Sequence, residues 1–407
     1  MPLRGMGDRP LHSFRSRHRP RRAPLRVLGM ILAAGLSTAT GCAQSAGTAE
    51  GDSTAGLSQQ AVSSASAMLD RFVADGHAPG VVVEVSTPDG VWTHTAGRSA
   101  TSPDTPMSAQ LQHRIGSITK TFTTTLILQL VQEGTVALDD PVSRYVDGVP
   151  DGDRVTLRML GTMTAGLSEY LANPDFRSRF FEDPMRVWTP PELLDASYAL
   201  GAQFPPGTNS DYSNANTVLL GLAVEKVEGA PFGDVLTEKI LRPHGLDHTV
   251  WPDDASFPHD HVLGYTSLDP AHEVTDSTSW SPTQAYSAGQ MISTAGDLTQ
   301  WIRLVGRGDL LTPELQSERL QWQPLGDNDD NWHYTFGLEE NSGWIGHNGA
   351  IPGYMSYAVY HPALDATIVL LINSDAAIDG EPPVNVLLRD LSPVLFPEQP
   401  VRVPVVR

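Results

Sequence analysis

The sequence predicts an α/β protein: one antiparallel sheet assembled from both ends of the chain, covered by helices, with a mostly helical region inserted between the halves. Three observations predict it. β-rich runs flank Pro88-Asp89-Gly90 early in the chain, and more such runs lie between His333 and Asn373 near its end. Residues 138–284, between them, lack clear paired strands and hold helical stretches broken by many Pro and Gly. The 407 residues, 40% hydrophobic and 18% charged, suit a large globular domain with an insertion and are too apolar for a disordered chain.

Residues 1–41 read as a signal peptide. Eight arginines fall in the first 26 residues, and the apolar run Val27 to Leu36 follows. That run is too short to span a bilayer as a helix. The Arg21-Arg22 pair hints at a twin-arginine signal, although Pro24 stands where that pattern usually has an aromatic. The single cysteine, Cys42, follows Ala39-Thr40-Gly41, which resembles a bacterial lipobox and makes Cys42 the expected lipidation site. The protein is therefore expected to be exported and lipid-anchored on the outer face of the bacterial cytoplasmic membrane, or secreted.

Removal of residues 1–41, with their eight Arg and one Asp, leaves 19 basic against 46 acidic residues. A body that acidic disfavours nucleic acid and anionic bilayers as partners, so the only membrane contact expected is the lipid anchor. One cysteine excludes an internal disulfide framework and a cysteine-based zinc site.

Residues 42–60 are small and polar and read as a flexible tether. The first part of the α/β domain spans residues 61–137. Val62, Ala65, Leu69, Phe72 and Val73 recur at helical spacing and Gly76 stops that helix. Val81 to Gly97 reads as a hairpin, and Thr119 to Gln132 as a largely apolar helix that ends near Gly134. Ala215 to Glu228 is the clearest helix of the 138–284 region. The second part of the α/β domain, residues 285–396, carries four expected strands: His333–Glu339, Trp344–His347, Ser356–His361 and Thr367–Asn373. A turn at Pro362 to Asp365 joins the last two, a short helix near Val384–Leu391 follows, and residues 397–407 form a tail. A ligand cleft is expected where the α/β and helical parts meet.

Lysine is the informative residue for chemistry. The chain has only three, Lys120, Lys226 and Lys239, against 24 arginines. A chain that favours arginine this heavily needs lysine where a proton must be lost, which arginine cannot do. Lys120 follows Ser117 by three residues at the start of the apolar helix, so both side chains share one face. An adjacent amine can activate a hydroxyl, and a helix N-terminus favours a developing oxyanion. Ser-x-x-Lys alone is not specific. Tyr212-Ser213-Asn214 precedes the second apolar helix and would serve equally as a turn and helix cap. In a functional reading, Tyr212 shuttles a proton beside the serine and Asn214 bonds substrate or Lys120. His347-Asn348-Gly349 ends the expected strand Trp344–His347, and its glycine would let a ligand approach the strand edge.

Ser-x-x-Lys, then Tyr-x-Asn, then His-x-Gly, in this order and spacing, resembles the serine hydrolase family of class C β-lactamases and D-alanyl-D-alanine carboxypeptidases, the penicillin-recognising enzymes. Thr162 to Leu167, Pro205-Pro206-Gly207, and Ser287 to Thr294 with Asp297-Leu298 resemble further motifs of that family. The likeness runs from about residue 60 to 375.

The resemblance implies a β-lactamase/DD-peptidase-like fold and acyl transfer without a cofactor or metal. It implies Ser117 as nucleophile and Lys120 and Tyr212 as the proton-moving pair, either of which could be the base. It further implies Asn214, His347, Asn348 and Gly349 as substrate contacts and the amides of Ser117 and Ala350 as the oxyanion hole. The sequence departs from the carboxypeptidase pattern His-Thr-Gly-Thr. Residues 347–350 read His-Asn-Gly-Ala, without either hydroxyl, and Glu339 aligns with an arginine that assists a substrate carboxylate. The expected function is a D-alanyl-D-alanine carboxypeptidase-like hydrolase of a peptide-like or ester substrate, such as a peptidoglycan stem peptide. An esterase or amidase on the same scaffold, a β-lactamase, and a non-catalytic β-lactam or peptidoglycan sensor are the alternatives. His259-Asp260-His261 with Asp253-Asp254 could hold a metal but reads more simply as a solvated loop, and Trp188, Trp280 and Trp322 could line a cleft but suit core or rim.

Overall fold

A computed structural model describes residues 54–268, 273–326 and 333–403. The expected signal peptide, residues 1–41, and the expected lipidation site Cys42 lie outside the described residues. An early and a late segment of the chain meet at the centre of one sheet. Strand β1 (Gly80–Thr87) forms a hairpin with β2 (Gly90–Thr101), and β3 (Asp104–Pro106) extends that edge. The later strands are β4 (Gln323–Pro324), β5 (His333–Thr335), β6 (Leu338–Asn341), β7 (Trp344–Ile351), β8 (Tyr354–His361) and β9 (Ala366–Ile372). Their order is β3-β2-β1-β9-β8-β7-β6-β5-β4, antiparallel throughout. β1 and β9 join these segments, with Val81 opposite Ile372 and Val83 opposite Leu370.

Both faces of this central pair are covered, so its strands are apolar on both sides. Val81, Val83, Val85, Ile368, Leu370 and Ile372 pack beneath α1 (Gln59–Ala74) and α6 (Pro383–Leu395). Val82, Val369 and Leu371 face the opposite core, with α2 (Thr119–Gln132) and α5 (Ala295–Arg307). This period-two division is what a pleated strand imposes.

α2 is buried along most of its length, threonines included. A buried hydroxyl needs a partner. Thr121, Thr124 and Thr125 donate to the carbonyls of Ile118, Lys120 and Thr121 at 2.7, 2.8 and 2.6 Å, and Thr123 donates to Ser287 O at 2.7 Å. Trp301 Nε1 in turn donates to Thr121 Oγ1 at 2.7 Å, fixing α5 against α2.

Four expectations need adjustment. The helix begins at Gln59, capped by Ser58, and Ala55 is buried with its carbonyl accepting from Thr87 Oγ1 at 2.6 Å; the last residues of the expected tether thus belong to the fold. The run His333–Glu339 is two strands. Phe336 and Gly337 have φ of 36° and 72°, the positive pair that a tight two-residue hairpin turn requires. Tertiary contact holds that turn: Thr124 Oγ1 donates to Phe336 O at 2.6 Å, and a Cβ on Gly337 would stand 2.5 Å from Lys120 O. Strand β7 runs past His347 to Ile351 because β8 pairs with it as far as Tyr354. Residues 399–402 of the expected tail are tied to the sheet: Trp344 Nε1 donates to Gln399 O at 2.8 Å, Arg402 N to Asn341 Oδ1 at 3.0 Å, and Val401 is buried.

Among the described residues no helix is long and apolar enough to cross a membrane.

Candidate active site

Ser117 stands in a single 3₁₀ turn, Gly116–Ile118, immediately before α2, and is half-buried. Gly116 has φ +49°, and a Cβ there would meet the backbone nitrogen of Ala350 at 2.6 Å. Glycine is what lets the serine turn lie against β7. Ser356 Oγ donates to Ile115 O at 2.9 Å and ties the same turn to β8. The amides of Ser117 and Ala350 are thereby brought to one place in the fold.

Lys120 projects from the first turn of α2 and is 0% exposed. Its Nζ lies 2.9 Å from Ser117 Oγ, 2.6 Å from Asn214 Oδ1 and 2.7 Å from Ala288 O. Burial pushes its ammonium down to about 7, against the opposing attraction of Glu169 and Glu339. Tyr212 donates from its hydroxyl to Ser117 Oγ at 3.0 Å, and its ring lies 4.9 Å from Lys120 Nζ. Burial pushes its phenol well above the usual value, the bond to Ser117 pulling the other way.

The Tyr212-Ser213-Asn214 triplet both caps a helix and reaches Lys120. Ser213 caps α4 (Asn214–Glu228) by accepting from Ala215 N, while Asn214 turns its carbonyl oxygen to Lys120. Its backbone N–H donates to Glu169 Oε2 at 2.7 Å, and Leu171 N donates to the other oxygen of that carboxylate at 3.0 Å. Sequence reading missed Glu169. It lies two residues beyond the Thr162–Leu167 motif, but its bond to Asn214 spans 45 residues and exists only in the fold.

His347 does not end its strand, which runs on to Ile351. It is 1% exposed in the middle of β7, opposite Ala358. Nδ1 bonds Asn348 O at 2.5 Å and lies 3.7 Å from Glu339 Oε1. Burial first, then the charge of Lys120, holds this imidazole down to about 3, so it is neutral at any working pH. Its ring stands 6.1 Å from that of Tyr212, and Tyr334 packs edge-on against both at 5.9 and 5.8 Å. His347 therefore backs Tyr212. Gly349 meets the serine turn: a Cβ there would overlap Ile115 O and Ser356 Oγ. Asn348 is half-buried on the same strand.

Ser117, Asn214 and Ala350 line a cavity of about 360 Å³. Its wall is apolar and aromatic, with Tyr170, Phe176, Phe180, Phe181, Leu268 and Met355. Phe176 and Phe180 come from α3 (Pro174–Glu182), one helical turn apart. None of the three tryptophans lines this cavity. Trp188 is core, 4.5 Å from Phe176, and Trp280 packs edge-on against Phe180 and Phe181 at 5.8 and 6.4 Å. Trp322 packs against the main core, half-buried. His261 stacks on Phe257 at 4.1 Å, and among the described residues no three His, Cys, Asp or Glu side chains converge as a metal site.

Gly349→Ala is expected to lower kcat about 100-fold while the protein remains folded. The added methyl must push β7 off the Ser117 turn, and a displacement near 1 Å at a reacting centre has about that effect. Steady-state rates on a chromogenic ester, beside thermal melts, check it. An unchanged kcat would separate β7 from the chemistry.

A serine hydroxyl shared by a buried amine near neutrality and an un-ionised phenol is equipment for acyl transfer through serine. The chain belongs to the β-lactamase family, a family of serine hydrolases: the family model described as Beta-lactamase matches residues 65–391. It is similar to Protein flp of Staphylococcus aureus (strain MRSA252), 23% identical over 324 residues, which cover 75% of this chain and 62% of flp. It thus spans about three-fifths of that relative's length. Among solved structures it is similar to a D-stereospecific amidohydrolase from Streptomyces sp., at 32% identity and TM-score 0.71, covering 77% of this chain and 94% of the other. It is also similar to the D-amino acid amidase of Ochrobactrum anthropi SV3 in complex with L-phenylalanine amide, at 27% identity and TM-score 0.74, covering 82% and 98%.

Proposed function

We propose that the protein is an amidohydrolase that cleaves short amides and peptides with a bulky apolar acyl group through an acyl–Ser117 intermediate. One observation carries this reading: the bonding of Lys120. Asn214 Oδ1 and Ala288 O are two fixed acceptors for two amine hydrogens. The neutral amine that a value near 7 makes accessible then has its lone pair left for the Ser117 hydroxyl. Lys120 is the base in this reading. Tyr212, with its raised value, stays protonated and acts as a proton donor and relay.

The steps follow. Ser117 Oγ attacks the substrate carbonyl carbon as its proton passes to Lys120 Nζ. The resulting oxyanion sits between the amides of Ser117 and Ala350, and such a donor typically contributes about 100- to 1,000-fold. The C–N bond breaks, and the leaving amine takes a proton from Lys120 through Tyr212. Water then attacks the acyl-serine ester by the same path in reverse.

The aromatic cavity and the likeness to the two D-specific amidohydrolases support an apolar, D-configured acyl group. A carboxypeptidase acting on D-alanyl-D-alanine is the second reading, and the family resemblance favours it. The cavity is large for a methyl side chain, and the buried Glu339 beside His347 opposes a substrate carboxylate on that side.

Kinetics on D- and L-phenylalanine amide, a D-alanyl-D-alanine-terminated peptide and a chromogenic ester test the choice. We expect D-phenylalanine amide to exceed the D-alanyl peptide at least about tenfold in kcat/KM. The reverse order, with a lasting benzylpenicillin adduct by intact mass, would move the assignment to the peptidase.

A further inference from the structure

Among the described residues, Arg177 and Asp375 are the charged ones lining the cavity that holds Ser117. They differ in how far they are engaged. Asp375 accepts from Thr266 Oγ1 at 2.6 Å, Ser267 N at 2.8 Å and Gly353 N at 2.7 Å, so its oxygens hold the surrounding loops together. Arg177 is exposed and, among the described residues, enters no ion pair. Neighbouring arginines are occupied. The guanidinium of Arg179 lies 4.9 Å over the Trp188 ring, and that of Arg186 lies 4.7 Å over the same ring while pairing with Glu192.

The backbone beneath Arg177 is firm. Asn173 caps α3 by accepting from Asp175 N at 2.9 Å and Phe176 N at 3.2 Å, and the buried Phe176 and Phe180 anchor the helix on either side of it. A guanidinium without an ion pair among the described residues, on a fixed helical turn at a largely apolar cavity in a chain of net charge −20, is a selective feature. Its planar fork matches a carboxylate.

Resting on the amidohydrolase reading above, we propose that Arg177 is a specificity-determining residue that binds a carboxylate on the substrate. The preferred substrates are then amides or short peptides that combine an apolar acyl group with an anionic one. The carboxylate can belong to the acyl part or to the leaving amine.

Two matched pairs distinguish these sources. D-phenylalanyl-glycine against D-phenylalanyl-glycinamide places the charge on the leaving group. The amide of D-4-carboxyphenylalanine against that of D-4-carbamoylphenylalanine places it on the acyl group. Wild type is expected to favour the carboxylate of one pair about tenfold in kcat/KM, less so in 0.5 M salt because the arginine is exposed. Arg177→Gln should abolish the preference by slowing the carboxylate member alone, and Arg177→Lys should keep part of it. A merely structural arginine would slow both members equally. Calorimetry of the same pairs on Ser117→Ala protein, with and without Arg177→Gln, reads the preference as affinity. Equal affinities for both members, or a preference that survives Arg177→Gln, overturn the proposal. Failure of turnover alone would count against the amidohydrolase reading and leave the calorimetric result to decide the role of Arg177.

Discussion

Ser117→Ala is expected to reduce kcat on every amide or ester the protein cleaves by about 10⁴- to 10⁶-fold, with its fold intact. The size of the loss follows from where the hydroxyl sits. Ser117 Oγ is the one atom that both Lys120 Nζ and Tyr212 Oη reach, at 2.9 and 3.0 Å. Removing it leaves the base without a proton to take and the relay without a terminus, so the remaining rate comes from binding and the oxyanion amides alone. The fold has little reason to respond. Ser117 is half-buried in a turn whose attachment to the sheet runs through Gly116, Ile115 O and Ser356 instead. Acid-quenched mixtures with a chromogenic ester should show an acyl adduct by intact mass in wild type and none in the variant. A variant that melts like wild type yet keeps more than about one percent of the rate would remove Ser117 from the mechanism.

Lys120→Arg should be nearly as damaging, by at least about 10³-fold, although the charge is kept. Arginine cannot give up a proton at any accessible pH, and its planar fork cannot replace a point donor bonded to three acceptors in a fully buried site. The pH profile tests the assignment without mutation. A base works when unprotonated, so kcat/KM should rise with pH through about 7 and then level off. Two units below that point the rate should be about 100-fold under the plateau. His347, held near 3, and Tyr212, pushed well above its usual value, keep one protonation state across pH 5 to 9 and should not distort the limb. Glu169→Gln removes a charge that raises the Lys120 value, so the limb should move to lower pH. A limb that stays in place in that variant, or one that falls with rising pH near 7, would assign the base elsewhere.

Much of the fold is legible because its signals are local. The hairpin at Pro88-Asp89-Gly90, the apolar run of α2 and the strands of β8 and β9 each state their form within a dozen residues. Errors fall where a distant contact overrides local pattern. His333 to Glu339 looks like one strand, yet the turn at Phe336-Gly337 is fixed by Thr124 and the Lys120 carbonyl, more than two hundred positions earlier in the chain. The strand from Trp344 looks as if it ends at His347, yet pairing with β8 carries it to Ile351.

Which chemistry is available is legible in residue type and spacing. Scarcity of lysine singled out Lys120, the interval of three placed it on the face of Ser117, and the order of the three motifs named a family that the comparison over residues 65–391 upholds. How that chemistry is tuned, and what it faces, follows from packing between distant segments. The depressed value of Lys120 arises from complete burial among segments up to 168 residues away, with Ala288 O and Asn214 Oδ1 as its partners. The aromatic cavity, with Arg177 on its lining, and the Glu169 bond to Asn214 likewise arise between segments. The physical reason is that residue type and spacing act along the chain, while desolvation and charge act through space.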